Sequence, residues 1–235
     1  MKRTFFALSL FVGSIPSIGQ SARSHFTIVA YGTSLTWGSA IPDERWTSLL
    51  EGRLKHRHPD VDVTVINAGI SGSTTRERMV HLQAVLDQHP DLVIHDFAVN
   101  DATEESGRHV SLEEFSRNIE TMHDRVKGIG AFEIYWPQTP IISEKHVWRN
   151  QPLILKAGGL DRYAEDYRKC VAMESRRLGI DFVDMDAVFR EYFKEKGADY
   201  YLQPDGIHYL RSGNQLVADC LLPVVEKVMT GKGEK

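Results

Sequence analysis

The chain has 235 residues, of which 42% are hydrophobic and 26% are charged, a balance typical of one globular domain with a sizeable core. Its formal net charge is −4, and we find no basic stripe interleaved with aromatic residues. An acidic surface repels phosphate backbones, which argues against a nucleic-acid partner. Two separate domains would be a tight fit for this length, so we expect one.

The first 22 residues are laid out like a secretory signal peptide. A positively charged start precedes a short apolar run over residues 5–12, and small or polar residues follow it. The run is well below the roughly 20 residues that span a bilayer, and Pro16 lies just beyond it, so a membrane anchor or a buried first helix fits less well. We predict a cleaved signal over residues 1–22, a single domain over 23–235 with no integral membrane span, and a secreted or periplasmic location.

Five short apolar or β-branched runs recur along the rest of the chain and predict strands that are buried on both faces of a sheet. Segments with apolar residues three and four positions apart lie between these runs and predict helices. Parallel strands need crossovers, and helical crossovers cover both faces of the sheet, so the alternation predicts a single α/β sandwich. The predicted strands cover residues 26–31, 62–67, 91–97, 132–136 and 180–184.

The predicted helices carry few terminal signals. Ser111 and Glu114 have the spacing of a capping box at the start of the third helix, and Gly128 and Gly130 close it. The longest irregular stretch covers residues 137–159, and loops of this length in compact domains are usually functional. The helical patterns cover residues 46–54, 79–86, 115–126 and 216–228.

Cys170 and Cys220 are the two cysteines, and each lies among apolar neighbours in a predicted helix. An oxidising compartment would permit a disulfide between them. Two buried thiols that pack as small hydrophobic groups are the alternative, which we favour. Neither cysteine has the CxxC spacing or the neighbouring histidine of a reactive thiol.

Polar residues and glycines follow the first three predicted strands, at residues 31–38, 67–74 and 97–101. In open parallel sheets, ligands bind beyond the carboxyl ends of the strands, and these three segments point at one edge. Ser34 lies in the first of them, where flanking glycines let the chain bend sharply and leave a hydroxyl exposed. A serine in such a turn is more often a cap, and it needs a base before it can attack a carbonyl.

His208 is the histidine best suited to be that base. It lies in a loop directly before the last helix, and Asp205 lies three residues upstream. This spacing lets the carboxylate accept the imidazole N–H, which fixes the tautomer and leaves the other nitrogen free to take the proton of a serine. For this stretch alone, a surface turn or a helix cap is the alternative.

Acyl transfer also needs donors for the developing oxyanion. Gly72 can bring a backbone N–H close because it lacks a side chain, and Asn100 can supply an amide N–H from the end of the third strand. Each residue is commonplace by itself. With Ser34 and the pair formed by Asp205 and His208, they make a complete site.

Four segments, GTSLTWG, NAGISGSTT, FAVND and DGIH, resemble the four signature blocks of the SGNH (GDSL-like) hydrolase superfamily, in the order of that family. By this resemblance Ser34 is the nucleophile, and its N–H, the Gly72 N–H and the Asn100 amide form the oxyanion hole. His208 is the base, and Asp205 orients it. The resemblance also implies a flavodoxin-like three-layer α/β/α sandwich with about five parallel strands.

Thr33 departs from the family pattern, because the first block usually reads Gly-Asp-Ser. That aspartate is not the acid of the triad, so the departure concerns the hydrogen bonding and charge beside Ser34. Asp101 matches the pattern, and we interpret it as a structural residue that holds its loop. The implied two-step reaction through an acyl-enzyme needs no metal and no cofactor, and the histidines show no ligand spacing such as HExxH.

The sequence favours a glycan or small acetylated sugar as the ester substrate. The loop over residues 137–159 is mixed and polar rather than apolar, as a lipid groove would be. Trp37, Trp148 and His146 are candidate substrate-binding residues, since aromatic side chains can stack on sugar rings. Trp136, at a strand end, is expected to belong to the core.

Three alternatives remain open. An acyltransferase could use the same site and pass the acyl group to a sugar hydroxyl. A lysophospholipase or thioesterase could use it on lipid or thioester substrates. A catalytically silent glycan-binding protein could share the fold; Thr33 is its only support, and the presence of Ser34, His208 and Asp205 argues against it.

Overall fold

A computed structural model describes residues 24–231, so the predicted signal peptide lies outside the described residues. Five parallel strands form one sheet in the order β2-β1-β3-β4-β5, which is the flavodoxin-like order. The sandwich, the parallel sheet and all five predicted strands are therefore confirmed, although the last strand has only two residues. The strands are β1 (Ser24–Gly32), β2 (Val61–Asn67), β3 (Leu92–Asp96), β4 (Phe132–Trp136) and β5 (Asp181–Phe182).

Helices connect the strands and cover both faces of the sheet. None of the helices within residues 24–231 is long and apolar enough to cross a membrane. The helices are α1 (Ser34–Trp37), α2 (Trp46–Arg57), α3 (Thr75–Met79), α4 (Leu82–Leu86), α5 (Leu112–Gly128), α6 (Pro152–Ala157), α7 (Leu160–Tyr163), α8 (Glu165–Leu178), α9 (Met185–Lys196) and α10 (Arg211–Gly231).

Two hydrophobic cores form because successive side chains of a strand point to opposite faces. On β1, Ile28 packs with α2, α9 and α10, whereas Val29 packs with α4, α5 and α8. Trp136 lies fully buried in the first core and meets the edge of Trp46, as expected for a core residue. This burial on both faces explains why the strands look like continuous apolar runs.

The single helix predicted over residues 79–86 is wrong, because the segment forms α3 and α4 with a turn between them. The N–H of His81 bonds the carbonyl of Arg78 at 2.8 Å, and Val80 faces solvent. Arg78 is buried with its guanidinium over the ring of Tyr31, 4.3 Å from the centroid. Through Arg78, α3 packs against Tyr31 of β1. A pattern based on the spacing of apolar residues does not predict a contact made by a buried arginine.

The predicted capping box is only half formed. Ser111 accepts a hydrogen bond from the N–H of Glu114 at 3.2 Å, as predicted. The Glu114 carboxylate does not return to Ser111 but binds the guanidinium of Arg76, which is a stronger, charged partner. The complete capping box is at the start of α3, between Thr74 and Glu77.

The two cysteines are free thiols on opposite sides of the sheet. Cys170 is buried beside α5, and Cys220 packs against the other core. Burial raises the pKa of each thiol to about 11, so neither is a thiolate near neutral pH. The preference for packed thiols over a disulfide is confirmed.

Candidate active site

Ser34 lies at the tip of a sharp turn between β1 and the four-residue helix α1. Thr33 caps this helix, since its hydroxyl accepts from the N–H of Leu35 at 3.5 Å. Gly38 ends it with a φ of 75°, and its N–H bonds the Ser34 carbonyl at 2.8 Å. Glycine is required there because a side chain strains a left-handed residue. The turn thus presents Ser34 at the carboxyl edge of the sheet.

The segments after β1 and β2 are bonded to each other. The amide of Asn67 donates to the carbonyl of Thr36 at 2.6 Å, and the N–H of Ile70 donates to the carbonyl of Gly32 at 3.1 Å. Gly69 packs so closely that an added Cβ would lie 2.2 Å from the backbone N of Trp37. The Ser34 turn and the segment after β2 therefore have one fixed arrangement.

The predicted oxyanion donors lie on adjoining turns. Gly72 has a φ of 73°, which a glycine adopts without strain. Asn100 donates one amide hydrogen to the carbonyl of Ser73 at 3.1 Å, and its second amide hydrogen is available to a ligand. Arg108 holds the same turn through the Gly72 carbonyl at 2.5 Å. Asn100 and the Gly72 segment are thus joined.

Asp101 fixes this side of the site from below. It is fully buried, and one of its oxygens accepts the backbone N–H of Thr75 at 2.8 Å and also its hydroxyl. Burial raises the pKa of Asp101 to about 7. These contacts agree with the interpretation of Asp101 as a residue that holds its loop.

Asp205 and His208 form the pair that their spacing predicts. His208 Nδ1 lies 2.6 Å from Asp205 Oδ2, and Asp205 Oδ1 accepts the backbone N–H groups of Ile207 and His208 at 3.0 Å each. Burial acts to raise the pKa of Asp205, but the hydrogen bonds from His208 and from the backbone outweigh it, and the pKa is lowered. An ionised Asp205 places the proton on Nδ1 and leaves Nε2 free as a base.

The loop that carries His208 is bonded to residues 137–159, which are not irregular throughout as predicted but contain the helix α6 (Pro152–Ala157). The N–H of Ile142 donates to the carbonyl of Gly206 at 2.9 Å. Gly206 has a φ of 75°, and a Cβ there would lie 2.7 Å from the Ile142 carbonyl oxygen. This close approach requires glycine and fixes the long loop beside His208.

Trp46 connects α1, which begins at Ser34, to α10, the helix that follows His208. Its indole N–H donates to the carbonyl of Leu35 at 3.1 Å, and its backbone N–H donates to the side chain of Asn214 at 3.1 Å. Within residues 24–231, no hydrogen bond joins the Ser34 hydroxyl to His208, and such bonds are often long in unliganded sites.

The three candidate substrate-binding residues differ in exposure. Trp37 is 43% exposed with the guanidinium of Arg45 over its ring, whereas His146 is only 8% exposed. The backbone N–H of Trp148 donates to His146 Nδ1 at 3.2 Å, which places the proton of the neutral ring on Nε2. Burial lowers the pKa of His146, so the ring is neutral at neutral pH. The rings of His146 and Trp148 are packed edge to face, with their centroids 5.1 Å apart.

Sequence reasoning missed two residues that contact the segment around Ser34, Asp96 and Trp46. Asp96 ends β3 and accepts hydrogen bonds from both sides of Ser34, from Thr33 and Thr36. A charged residue inside a run that reads as a buried strand was the available signal for Asp96. Trp46 was predicted only as the start of a helix. No sequence pattern predicts its hydrogen bonds to Leu35 and Asn214.

Known proteins of similar sequence are esterases. An arylesterase of Vibrio mimicus is 35% identical over 123 residues, which cover 51% of this chain and 60% of the arylesterase. The human isoamyl acetate-hydrolyzing esterase 1 homolog is 25% identical over 213 residues, which cover 85% of this chain and 81% of the human protein. Together with the fold and the polar turns at its carboxyl edge, these matches place the chain among hydrolases that act on ester bonds.

The family model described as GDSL-like Lipase/Acylhydrolase matches residues 30–216. The chain therefore belongs to this family, and the resemblance of the four blocks is confirmed. Solved structures share the fold: the lipase/acylhydrolase from Enterococcus faecalis has a TM-score of 0.70 at 24% identity, covering 86% of this chain and 96% of its own. The acetyl xylan esterase AlAXEase has a TM-score of 0.71 at 19% identity, covering 85% and 100%. The roles of the individual site residues remain predictions.

Proposed function

We propose that this chain is a serine esterase that removes acetyl groups from a carbohydrate, with Ser34 as nucleophile and His208 and Asp205 as its base pair. The observation that carries the proposal is the 2.6 Å bond between Asp205 and His208, at the edge where the Ser34 turn is bonded to its neighbouring turns. That bond fixes the orientation of the imidazole and favours the tautomer that a general base needs.

The reaction proceeds in two steps. Nε2 of His208 takes the proton of the Ser34 hydroxyl as Oγ attacks the ester carbonyl, and the oxyanion is held by the N–H groups of Ser34 and Gly72 and by the Asn100 amide. The tetrahedral intermediate expels the alcohol, which receives the proton from His208. Water then attacks the acetyl-enzyme as His208 takes its proton; the acyl–Oγ bond breaks, His208 returns the proton to Ser34 Oγ, and acetate leaves.

The aromatic and polar side chains around the candidate site support a carbohydrate as the alcohol portion of the ester substrate. Trp37 presents an exposed indole beside the Ser34 turn, and Trp148 presents a second aromatic ring on the loop fixed beside His208. His146 offers an Nε2–H donor next to Trp148, and burial lowers the pKa of this histidine, with smaller effects from Asp205 and His208. Aromatic rings with a few fixed polar groups are typical of small-molecule sites.

The activities for which similar proteins are named favour acetyl as the acyl group. The human relative is named for the hydrolysis of isoamyl acetate, and several fold neighbours are acetyl xylan esterases. The fold neighbours share 19–22% identity and therefore guide the choice of substrates to test.

The test compares the protein with its Ser34→Ala variant on 4-nitrophenyl acetate, butyrate and octanoate, acetylated xylan and acetylated monosaccharides. We expect acetate release from the sugars that requires Ser34, with little octanoate turnover. A rate that rises with chain length would replace the proposal by a lipolytic or thioester hydrolase. A product that appears only with a sugar acceptor would indicate an acyltransferase, and no Ser34-dependent turnover would indicate a silent binding protein.

We also propose that the protein is secreted or periplasmic, on the layout of its first 22 residues. Mass spectrometry of the protein recovered from its native host should give an N-terminus near residue 23. An intact N-terminus in the cytosolic fraction would contradict this location.

A further inference from the structure

The last residue of β3 is a carboxylate buried next to the nucleophile strand. Asp96 is 3% exposed, and it pairs in register with Gly32, the last residue of β1. An added Cβ at Gly32 would lie 2.0 Å from Asp96 Oδ1. Only glycine lets this carboxylate reach the turn that carries Ser34.

Both oxygens of Asp96 are used, and their partners lie on either side of Ser34. Oδ1 accepts the backbone N–H of Thr33, and Oδ2 accepts the hydroxyl of Thr36 at 2.8 Å. The carboxylate therefore fixes the turn immediately before the serine and the first turn of α1 after it. No other side chain in residues 24–231 bonds both flanks of Ser34.

This carboxylate is costly to keep. Asp96 is buried with Thr33 and Thr36 as its hydrogen-bond partners, and no lysine or arginine of the described residues forms an ion pair with it. Burial raises the pKa of Asp96 to about 7, against the opposing effect of the bonds from Thr33 and Thr36. Burying a carboxylate without an ion-pair partner lowers the stability of the fold, which points to a role for Asp96 other than stabilisation.

We propose that Asp96 is a positioning residue for the nucleophile, holding the Ser34 turn through Thr33 and Thr36. It supplies from a neighbouring strand the carboxylate that the first signature block lacks, since Thr33 stands where an aspartate is usual. The inference rests on the proposed role of Ser34.

A matched control exists on the same two strands. Asp91, directly before β3, accepts the backbone N–H of Thr27 of β1 at 2.7 Å. This is the same kind of bond at the opposite end of the sheet, far from Ser34 along the strand. Asp91→Ala therefore removes a carboxylate that ties β3 to β1 without touching the Ser34 turn.

The experiment measures kcat, KM and Tm on 4-nitrophenyl acetate for Asp96→Ala, Asp96→Asn and Asp91→Ala. We expect Asp96→Ala to lower kcat on the order of tenfold to a hundredfold, because small misplacements of reacting groups cost this much. KM should change by less than about threefold. Asp96→Asn keeps one acceptor and should fall between Asp96→Ala and wild type. Asp91→Ala should lower Tm and leave kcat within about twofold.

A second pair of variants covers the case in which Asp96→Ala does not fold. Thr36→Val removes one of the two bonds at constant shape and should lower kcat several-fold, whereas Thr36→Ser keeps the hydroxyl and should restore it. An unchanged kcat in folded Asp96→Ala or in Thr36→Val would overturn the inference, as would an equal loss in Asp91→Ala. Ser34→Ala is assayed in parallel: an active Ser34→Ala overturns the proposed function, whereas an inactive Ser34→Ala beside a fully active Asp96→Ala overturns only the role of Asp96.

Discussion

The candidate site has two halves that are held in different ways. The half with Ser34, Gly72 and Asn100 lies on turns directly after β1, β2 and β3, and buried carboxylates and amides bond these turns together. The half with Asp205 and His208 lies on a loop before α10, where both side chains are 36% exposed and backbone hydrogen bonds supply the support. The proposed nucleophile and oxyanion donors therefore share the rigidity of the sheet, whereas the proposed base depends on local loop geometry.

The largest expected effect tests whether the two halves act as one unit. Ser34→Ala and His208→Ala should each lower kcat by on the order of 10⁴-fold or more, and the double variant should be no worse than either one, because groups that act in one step are not additive. Steady-state kinetics on 4-nitrophenyl acetate measure this. Additive losses would show that the residues serve separate steps.

The half-exposed loop predicts that Asp205 matters for chemistry and little for stability. Asp205→Asn should lower kcat on the order of 10³-fold to 10⁴-fold, because the amide no longer selects the Nδ1–H tautomer of His208. Tm should change by about 2 °C or less, since the side chain is partly solvated. A large fall in Tm would mean that the loop is a structural element in its own right.

Removing the proposed oxyanion donor Asn100 should lower kcat less than removing a residue of the proposed triad. Asn100→Ala should lower kcat on the order of a hundredfold, with KM little changed, because the amide acts on charge that develops in the transition state. Asn118→Ala is the matched control: its amide donates to the Thr75 hydroxyl at 2.9 Å, in the network below the site. Equal losses of kcat in both variants would remove Asn100 from the oxyanion hole.

The smallest expected effect is a pH dependence of the stability of the fold, caused by the buried carboxylates Asp96 and Asp101 in the half of the site formed by the sheet. Burial raises the pKa of both Asp96 and Asp101 to about 7, so the folded state holds protons that the unfolded state releases near pH 4. Their contribution should make stability fall as pH rises from about 4 to about 7 and then level off. Asp101→Asn should reduce this slope in a series of thermal melts. A slope equal to that of wild type would contradict the raised pKa of Asp101.

The loop half should behave in the opposite sense. The lowered pKa of Asp205 adds stability above the usual aspartate pKa, and this gain is lost as pH falls through the folded value. Because the group is partly exposed, solvent screening keeps the effect small. The difference between Asp205→Asn and wild type at low pH measures it.

Patterns that repeat along the chain were sufficient to predict the layers of the fold. Strands buried on both faces leave continuous apolar runs, and long helices leave periodic ones, so the sheet and α2, α5 and α10 follow from the sequence. The break between α3 and α4 did not, because it depends on the burial of Arg78 against Tyr31, a tertiary contact. The capping role of Glu114 failed for the same reason, since Arg76 competes for its carboxylate.

Contacts within the candidate site were predictable where the residues are close in sequence. The spacing of Asp205 and His208 fixes their contact, and the glycines mark the turns. Asp96 was not predictable, because its partners are 60 or more positions away and its value lies in the register between two strands. The number of residues between two contacting side chains therefore decided whether their contact could be predicted from the sequence.

The close approach of Gly206 to Ile142 has a consequence for protein engineering. A loop exchange that imports residues 137–159 from a relative also imports a new backbone path against the turn before His208, and a side chain at position 206 has no room there. The long loop and the histidine turn are therefore one transplantable module. Libraries that vary substrate preference should graft both segments together, keep position 206 as glycine, and confine random changes to the exposed positions of the loop.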